Sequence, residues 1–93
     1  MLSHALITLN QTAQILTIPF VEEKEYAFSL SISIQNLHSS HFVFLGDESV
    51  TTASYGFRLD PGQTFTADLS PEDDIYAVTD TGTTDIALIR INK

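Results

Sequence analysis

The sequence predicts an all-β protein, a small antiparallel β-sandwich of about eight short strands, with a jelly roll among the strand orders it allows. Three observations carry this. Apolar residues recur with period two along most of the chain, most regularly in YAFSLSISIQ over 26–35, where every even position is aromatic or aliphatic. No window of a dozen residues repeats apolar positions at helical spacing behind a capping residue. Clusters of Gly, Pro, Asp, Asn and Ser interrupt the alternation at short intervals, as the turns of a sandwich require.

ALITL (5–9) and TAQILTIPF (12–20) open the chain. Their apolar residues, among them Leu6, Ile7, Leu9, Ile15, Leu16, Ile18 and Phe20, either complete the sandwich or form an N-terminal arm, 1–20, that adds a strand to a neighbour. In the ribbon 26–35, Tyr26, Phe28, Leu30, Ile32 and Ile34 form one face and need a second sheet to cover them. Ser29, Ser31, Ser33 and Gln35 form the other. Small side chains suit close approach of another subunit, so these four are a candidate assembly face, with solvated β-formers as the plain alternative.

HFVFL (41–45), YGFRL (55–59) and TFTADL (64–69) follow. Between the last two stands Asp60-Pro61-Gly62, where Pro61 presets φ and Gly62 accepts a positive one, so Leu59 and Phe65 are expected to begin the arms of a hairpin. DIYAV (74–78) and TDIALIRI (84–91) are expected to be antiparallel neighbours across a turn at Gly82. The final strand is apolar on both faces, with Ala87, Ile89 and Ile91 on one and Ile86 and Leu88 on the other, which predicts a central strand or one covered on both sides. No linker, repeat or low-complexity tract divides residues 1–93, and a single domain is expected.

Composition narrows the function. A chain of 93 residues builds a thin core, and without cysteine it has no disulfide to reinforce it and no thiolate for chemistry. Packing and association must supply stability. Twelve Asp and Glu against four Lys and Arg give a net charge of −8, which repels phosphate backbones. The cations Lys24, Arg58, Arg90 and Lys93 are scattered, so no nucleic acid partner is expected. No apolar run is long enough to span a bilayer and MLSHALITLN lacks the pattern of a secretory signal, so a soluble protein made in a cytoplasm, with no membrane partner, is expected.

Chemical motifs are sparse. His38 and His41 in HSSH suggest a metal pair; on a strand they would point to opposite faces, on a loop their geometry is free, and no third ligand is nearby. The acidic stretches Pro71-Glu72-Asp73-Asp74 and Gly46-Asp47-Glu48-Ser49 lack the spacing of a calcium loop. There is no nucleophile elbow, no glycine-rich phosphate loop and no paired catalytic carboxylates. Neither an enzyme, a metal nor a cofactor is expected. Tyr55 with Arg58, after the small polar run TTAS, offers an aromatic face and a guanidinium together, a candidate ligand or contact site suited to a sugar or a protein.

In the second half, a strand ending in Leu45-Gly46 leads through Val50-Thr51-Thr52 to Tyr55-Gly56, Leu59 and Pro61-Gly62. Leu69, Pro71, Asp73 and the strand Ile75-Tyr76-Ala77-Val78 follow, and a closing strand runs through Ile91. Over residues 42–92 this pattern resembles the small β-sandwich structural proteins of tailed-bacteriophage virions. The resemblance implies a non-enzymatic virion component, a capsid decoration or head-associated protein that binds the major capsid protein or another virion protein. It also implies a homo-oligomer, with a trimer favoured, synthesised in the host cytoplasm. The alternative it leaves open is a carbohydrate- or receptor-binding module of a fibre or tail, working through Tyr55 and Arg58.

Overall fold

The computed structural model describes residues 2–16, 30–69 and 73–92, which form eight strands in two antiparallel sheets. They are β1 (Leu2–Leu9), β2 (Gln14–Ile15), β3 (Leu30–Asn36), β4 (Val43–Gly46), β5 (Phe57–Leu59), β6 (Thr64–Leu69), β7 (Tyr76–Thr79) and β8 (Thr84–Asn92). A front sheet runs β1-β8-β3-β6 and a back sheet β2-β7-β4-β5. The pairs β1·β8, β2·β7, β3·β6 and β4·β5 nest as one long folded-over hairpin, and its wrapping brings β8 beside β3 and β7 beside β4. This is the strand order of a jelly roll.

Alternation decides which side chains fill the space between the sheets. Leu9, Ile32, Ile34, Ile86 and Leu88 come from the front sheet and Val43, Leu45, Leu59 and Ala77 from the back, all buried in one cluster. Each large aliphatic so buried contributes about 1.5–3 kcal/mol of transfer free energy. The expected cover for the ribbon is therefore present at Ile32 and Ile34. Tyr26, Phe28 and Ser29 lie outside the described residues. Strand β8 is central in the front sheet, as its two apolar faces predict. The parity that buries Ile86 and Leu88 also carries Arg90 inward, where it is fully buried and desolvation pulls its pKa below the ordinary value.

Two expected hairpins are instead steps between sheets. Asp60–Gln63 forms the predicted turn, with Gln63 N–H donating to Asp60 O at 2.9 Å and Gly62 at φ 79°. Its arms, however, belong to different sheets, β5 to the back and β6 to the front. The cause is the end of β3: Gly62 N–H donates to Asn36 O and Asn36 N–H to Gln63 O, both at 3.0 Å, so the turn is pinned across the sandwich. Phe57 and Phe65 then meet at a centroid distance of 4.9 Å, joining the two sheets where β5 and β6 form their edges. Likewise β7 and β8 are not neighbours. Gly82, at φ 56°, carries the chain from the back sheet to the front, and the buried hydroxyls of Thr79 and Thr84, 2.5 Å apart, hold the step.

Strand ends shift for similar reasons. β4 begins at Val43 rather than His41, because Phe42 N–H donates to Asp80 Oδ1 and Phe42 O accepts from Asp80 N–H. β5 begins at Phe57 rather than Tyr55, because residues 51–56 turn back on themselves, with Thr51 N–H donating to Ser54 O and Gly56 N–H to Leu45 O, both at 2.8 Å. Residues 2–9 pair along β8 of their own chain, and of 12–20 only Gln14–Ile15 is strand among the described residues.

Candidate functional site

Register assembles a distinct surface on the outside of the front sheet. Reading from β1 to β6, one cross-strand row holds His4, Ile89, Ser33 and Thr66, and the next holds Leu6, Ala87, Gln35 and Thr64. Neither row contains an Asp, Glu, Lys or Arg. The carboxylates of this face stand at opposite ends of the strands, and both are engaged. Ser31 Oγ donates to Asp68 Oδ1 at 2.5 Å, and Thr8 Oγ1 donates to Asp85 Oδ1 at 2.7 Å. The hydroxyls of Ser33 and Thr66 lie 3.0 Å apart. Cross-strand pairing of this kind satisfies the small polar groups within the sheet and leaves a low, flat strip.

Against that strip stand Leu6, Ile89 and Ile91, which are 75%, 37% and 42% exposed. A shallow depression of about 310 Å³ lies over the two central rows, lined by His4, Leu6, Ser33, Gln35 and Ile89 among others. Covering this surface would bury apolar atoms and the paired hydroxyls of Ser33 and Thr66 with no Asp, Glu, Lys or Arg in the two central rows, and a partner would have to meet the polar groups of His4, Gln35 and Thr64. Of the predicted assembly residues, Ser31, Ser33 and Gln35 lie on this face, while Ser29 is outside the described residues. Leu6, Thr64 and Thr66 were not anticipated there. Their partners come from distant parts of the chain, and the apolar outer face of 84–91 was the only sequence signal.

Tyr55 and Arg58 lie on the outside of the back sheet, where Phe44, Val50 and Val78 form a second apolar cluster with Phe42 and Tyr76. The Tyr55 ring tilts against Phe44 at 4.8 Å and remains 47% exposed. The Arg58 guanidinium stands 5.1 Å over the Phe42 ring and its Nε donates to Asp60 Oδ1 at 2.9 Å. Tyr55 borders a polar recess of about 260 Å³ with Asp47, Ser49 and Ser54, a recess that Arg58 does not line. The Asp47 carboxylate accepts from Ser49 Oγ at 2.6 Å and Ser49 N–H at 2.9 Å, and these bonds hold its pKa below the ordinary 3.8.

His38 and His41 come together, but as a loop brace. Their rings stack with centroids 3.6 Å apart and planes 4° from parallel. His38 Nδ1 accepts from the N–H groups of Ser40 and His41, both at 3.0 Å, while His41 Nδ1–H donates to Thr83 O at 3.2 Å. A neutral imidazole that ligates through Nε2 must carry its proton on Nδ1, so His38 would have to give up both backbone bonds to hold a metal. Among the described residues no group of three or more His, Cys, Asp or Glu is placed to hold an ion.

The same end of the sandwich contains a polar residue that sequence reading overlooked. Asn36 is fully buried, its Nδ2 donating to His41 O at 2.8 Å and Leu59 O at 3.2 Å while its Oδ1 accepts from His38 N–H at 2.9 Å. It ties together the end of β3, the histidine loop and the end of β5.

No protein-family profile and no curated protein matches the sequence. Among solved structures, a chain of the Bacillus endospore appendages, which form a family of disulfide-linked pili, is similar with a TM-score of 0.46 and 15% identity, over 99% of this chain and 87% of that one. A de novo designed double-stranded β-helix is similar with a TM-score of 0.45 and 15% identity, over 98% of this chain and 99% of the design.

Proposed function

We propose that this chain is a non-enzymatic structural protein of a virus particle, a bacteriophage capsid decoration or head-associated protein that docks on the shell through the outer face of its front sheet. One observation carries the reading. On a chain of net charge −8, the two central rows of that face contain no Asp, Glu, Lys or Arg and expose Leu6 and Ile89 beside a flat strip of small hydroxyl side chains. The resemblance of residues 42–92 to virion sandwiches points the same way. Docking would work by burial of this apolar ridge and by hydrogen bonding at its rim, while acidity elsewhere keeps the chain soluble at high concentration.

The test is co-sedimentation with shells of the virus whose genome encodes the chain. Ser33→Arg places a bulky cation between Ile89 and Thr66, and it is a cleaner probe than Ser31→Arg, whose new guanidinium would meet Asp68. Loss of shell binding with an unchanged circular dichroism spectrum is expected. Intact binding by Ser33→Arg would remove this face, and no binding by the unaltered protein would overturn the role.

The recess beside Tyr55 favours a second reading, a carbohydrate- or receptor-binding module. It combines a half-exposed ring backed by Phe44 with a carboxylate and hydroxyls, the groups that sugars use. Here Arg58 falls outside the site. Binding on a glycan array that Tyr55→Ala abolishes would support it, and an array with no signal would exclude it.

A further inference from the structure

We infer that β1 is an association edge, and that a second copy of this chain pairs with it antiparallel about a two-fold axis to make one continuous eight-stranded front sheet. The inference concerns the edge of the sheet rather than its face, shares Leu6 with the docking face and does not depend on a shell. Sheet edges present a row of backbone N–H and C=O groups that only another strand satisfies along its length, and stable folds shorten, charge or bend such edges. Three of the four edges here are defended in that way. β2 has two residues, β5 has three and carries Arg58, and β6 carries Asp68.

β1 differs on each count. It is eight residues long, LSHALITL, regular in register with β8 throughout, and free of Asp, Glu, Lys, Arg, Pro and Gly. Among the described residues no strand pairs with its other side. Charge limits where two copies can meet: with net charge −8 each they repel over most of their surfaces, and an edge without Asp, Glu, Lys or Arg, able to pair with its own copy, is the favourable contact. Leu6, at 75% the most exposed large apolar residue described, sits at mid-strand, where a two-fold axis brings it beside its own copy. Pairing identical strands antiparallel is isologous and closes at two. A ring of three would need β1 to join a different edge, and each of those is short or charged. Edge pairing buries less than the ~800 Å² per partner of a standard interface, so the association is weak and depends on concentration.

The test is native mass by sedimentation across a dilution series, with variants. The unaltered chain should pass from monomer to dimer. Leu6→Lys, which puts the usual edge-protecting residue at an exposed position and reduces the net negative charge, should weaken dimerisation by about tenfold or more with its spectrum unchanged. Because the chain has no cysteine, Leu6→Cys should give a covalent dimer with a short bis-maleimide, whereas Thr66→Cys on β6 should not. A monomer at all concentrations, a trimer or larger ring, a dimer indifferent to Leu6→Lys, or equal cross-linking at position 66 would each overturn the inference. Leu6→Cys carries the decision should Leu6→Lys not fold.

Discussion

At the scale of single residues, the polar side chains inside the sandwich have the most specific roles. Asn36 closes three bonds at a buried corner, and replacing it with Leu would keep its bulk while leaving His38 N–H, His41 O and Leu59 O short of a partner. The cost of unmade buried bonds sets the expectation at about 2–3 kcal/mol of stability, measured by urea unfolding. A loss below about 0.5 kcal/mol would show that the corner is open to water. Arg90 is the other residue whose setting departs from its type. Its inward position follows from the same parity as Ile86 and Leu88, so alternation applied without regard to charge would have found it. Asn36 had no such signal beyond its place at the end of a ribbon, because its value lies in carbonyls from two other segments.

At the scale of elements, the turns determine where strands go. Gly46 illustrates a steric requirement: a Cβ there would stand 3.1 and 3.2 Å from Cγ2 and Cβ of Val50, which is buried on the back sheet and held by its N–H bond to Asp47 O. Gly62 illustrates a backbone one, since a Cβ would meet nothing within 4 Å but φ is 79°. Both Gly46→Ala and Gly62→Ala should cost about 1–2 kcal/mol in thermal unfolding, for different reasons. The difference is visible in combination: adding Val50→Ala should shrink the penalty at position 46 and leave that at 62 unchanged. Equal penalties with and without Val50→Ala would refute the Cγ2 contact and leave the 3.2 Å approach to Cβ as the cause. The turn chemistry of Asp60-Pro61-Gly62 and of Gly82 was legible from residue types. Whether each turn folded a strand back on itself or stepped across the core was not, because both outcomes use the same local conformation.

At the scale of the whole molecule, the nested pairing makes the chain's two ends one structure. β1 covers the side of β8 that would otherwise be an edge, and Leu9 at its end lies in the core. Deletion of residues 1–9 should therefore unfold the protein or drive it to aggregate, as light scattering and circular dichroism would report. A folded, monodisperse truncation would instead mean that the segment acts as a separable arm. Formation of most of the sheet also waits on strands far apart in sequence, which places folding in the millisecond-to-second range of β-rich domains.

The all-β class, the approximate strands, the inward facing of Ile32 and Ile34 and the outward position of Ser31, Ser33 and Gln35 were legible in the sequence alone. They were so because alternation and turn chemistry are local, written in neighbouring residues. Folding in three dimensions was needed to show that β8 lies between β1 and β3 with Ile86 and Leu88 inward, that the last two strands belong to different sheets, that Leu6 and Ile89 join the serine strip, and that Arg58 does not line the recess beside Tyr55. Those outcomes depend on register between distant segments. Period-two patterning fixes which face a side chain takes but not which strand lies beside it.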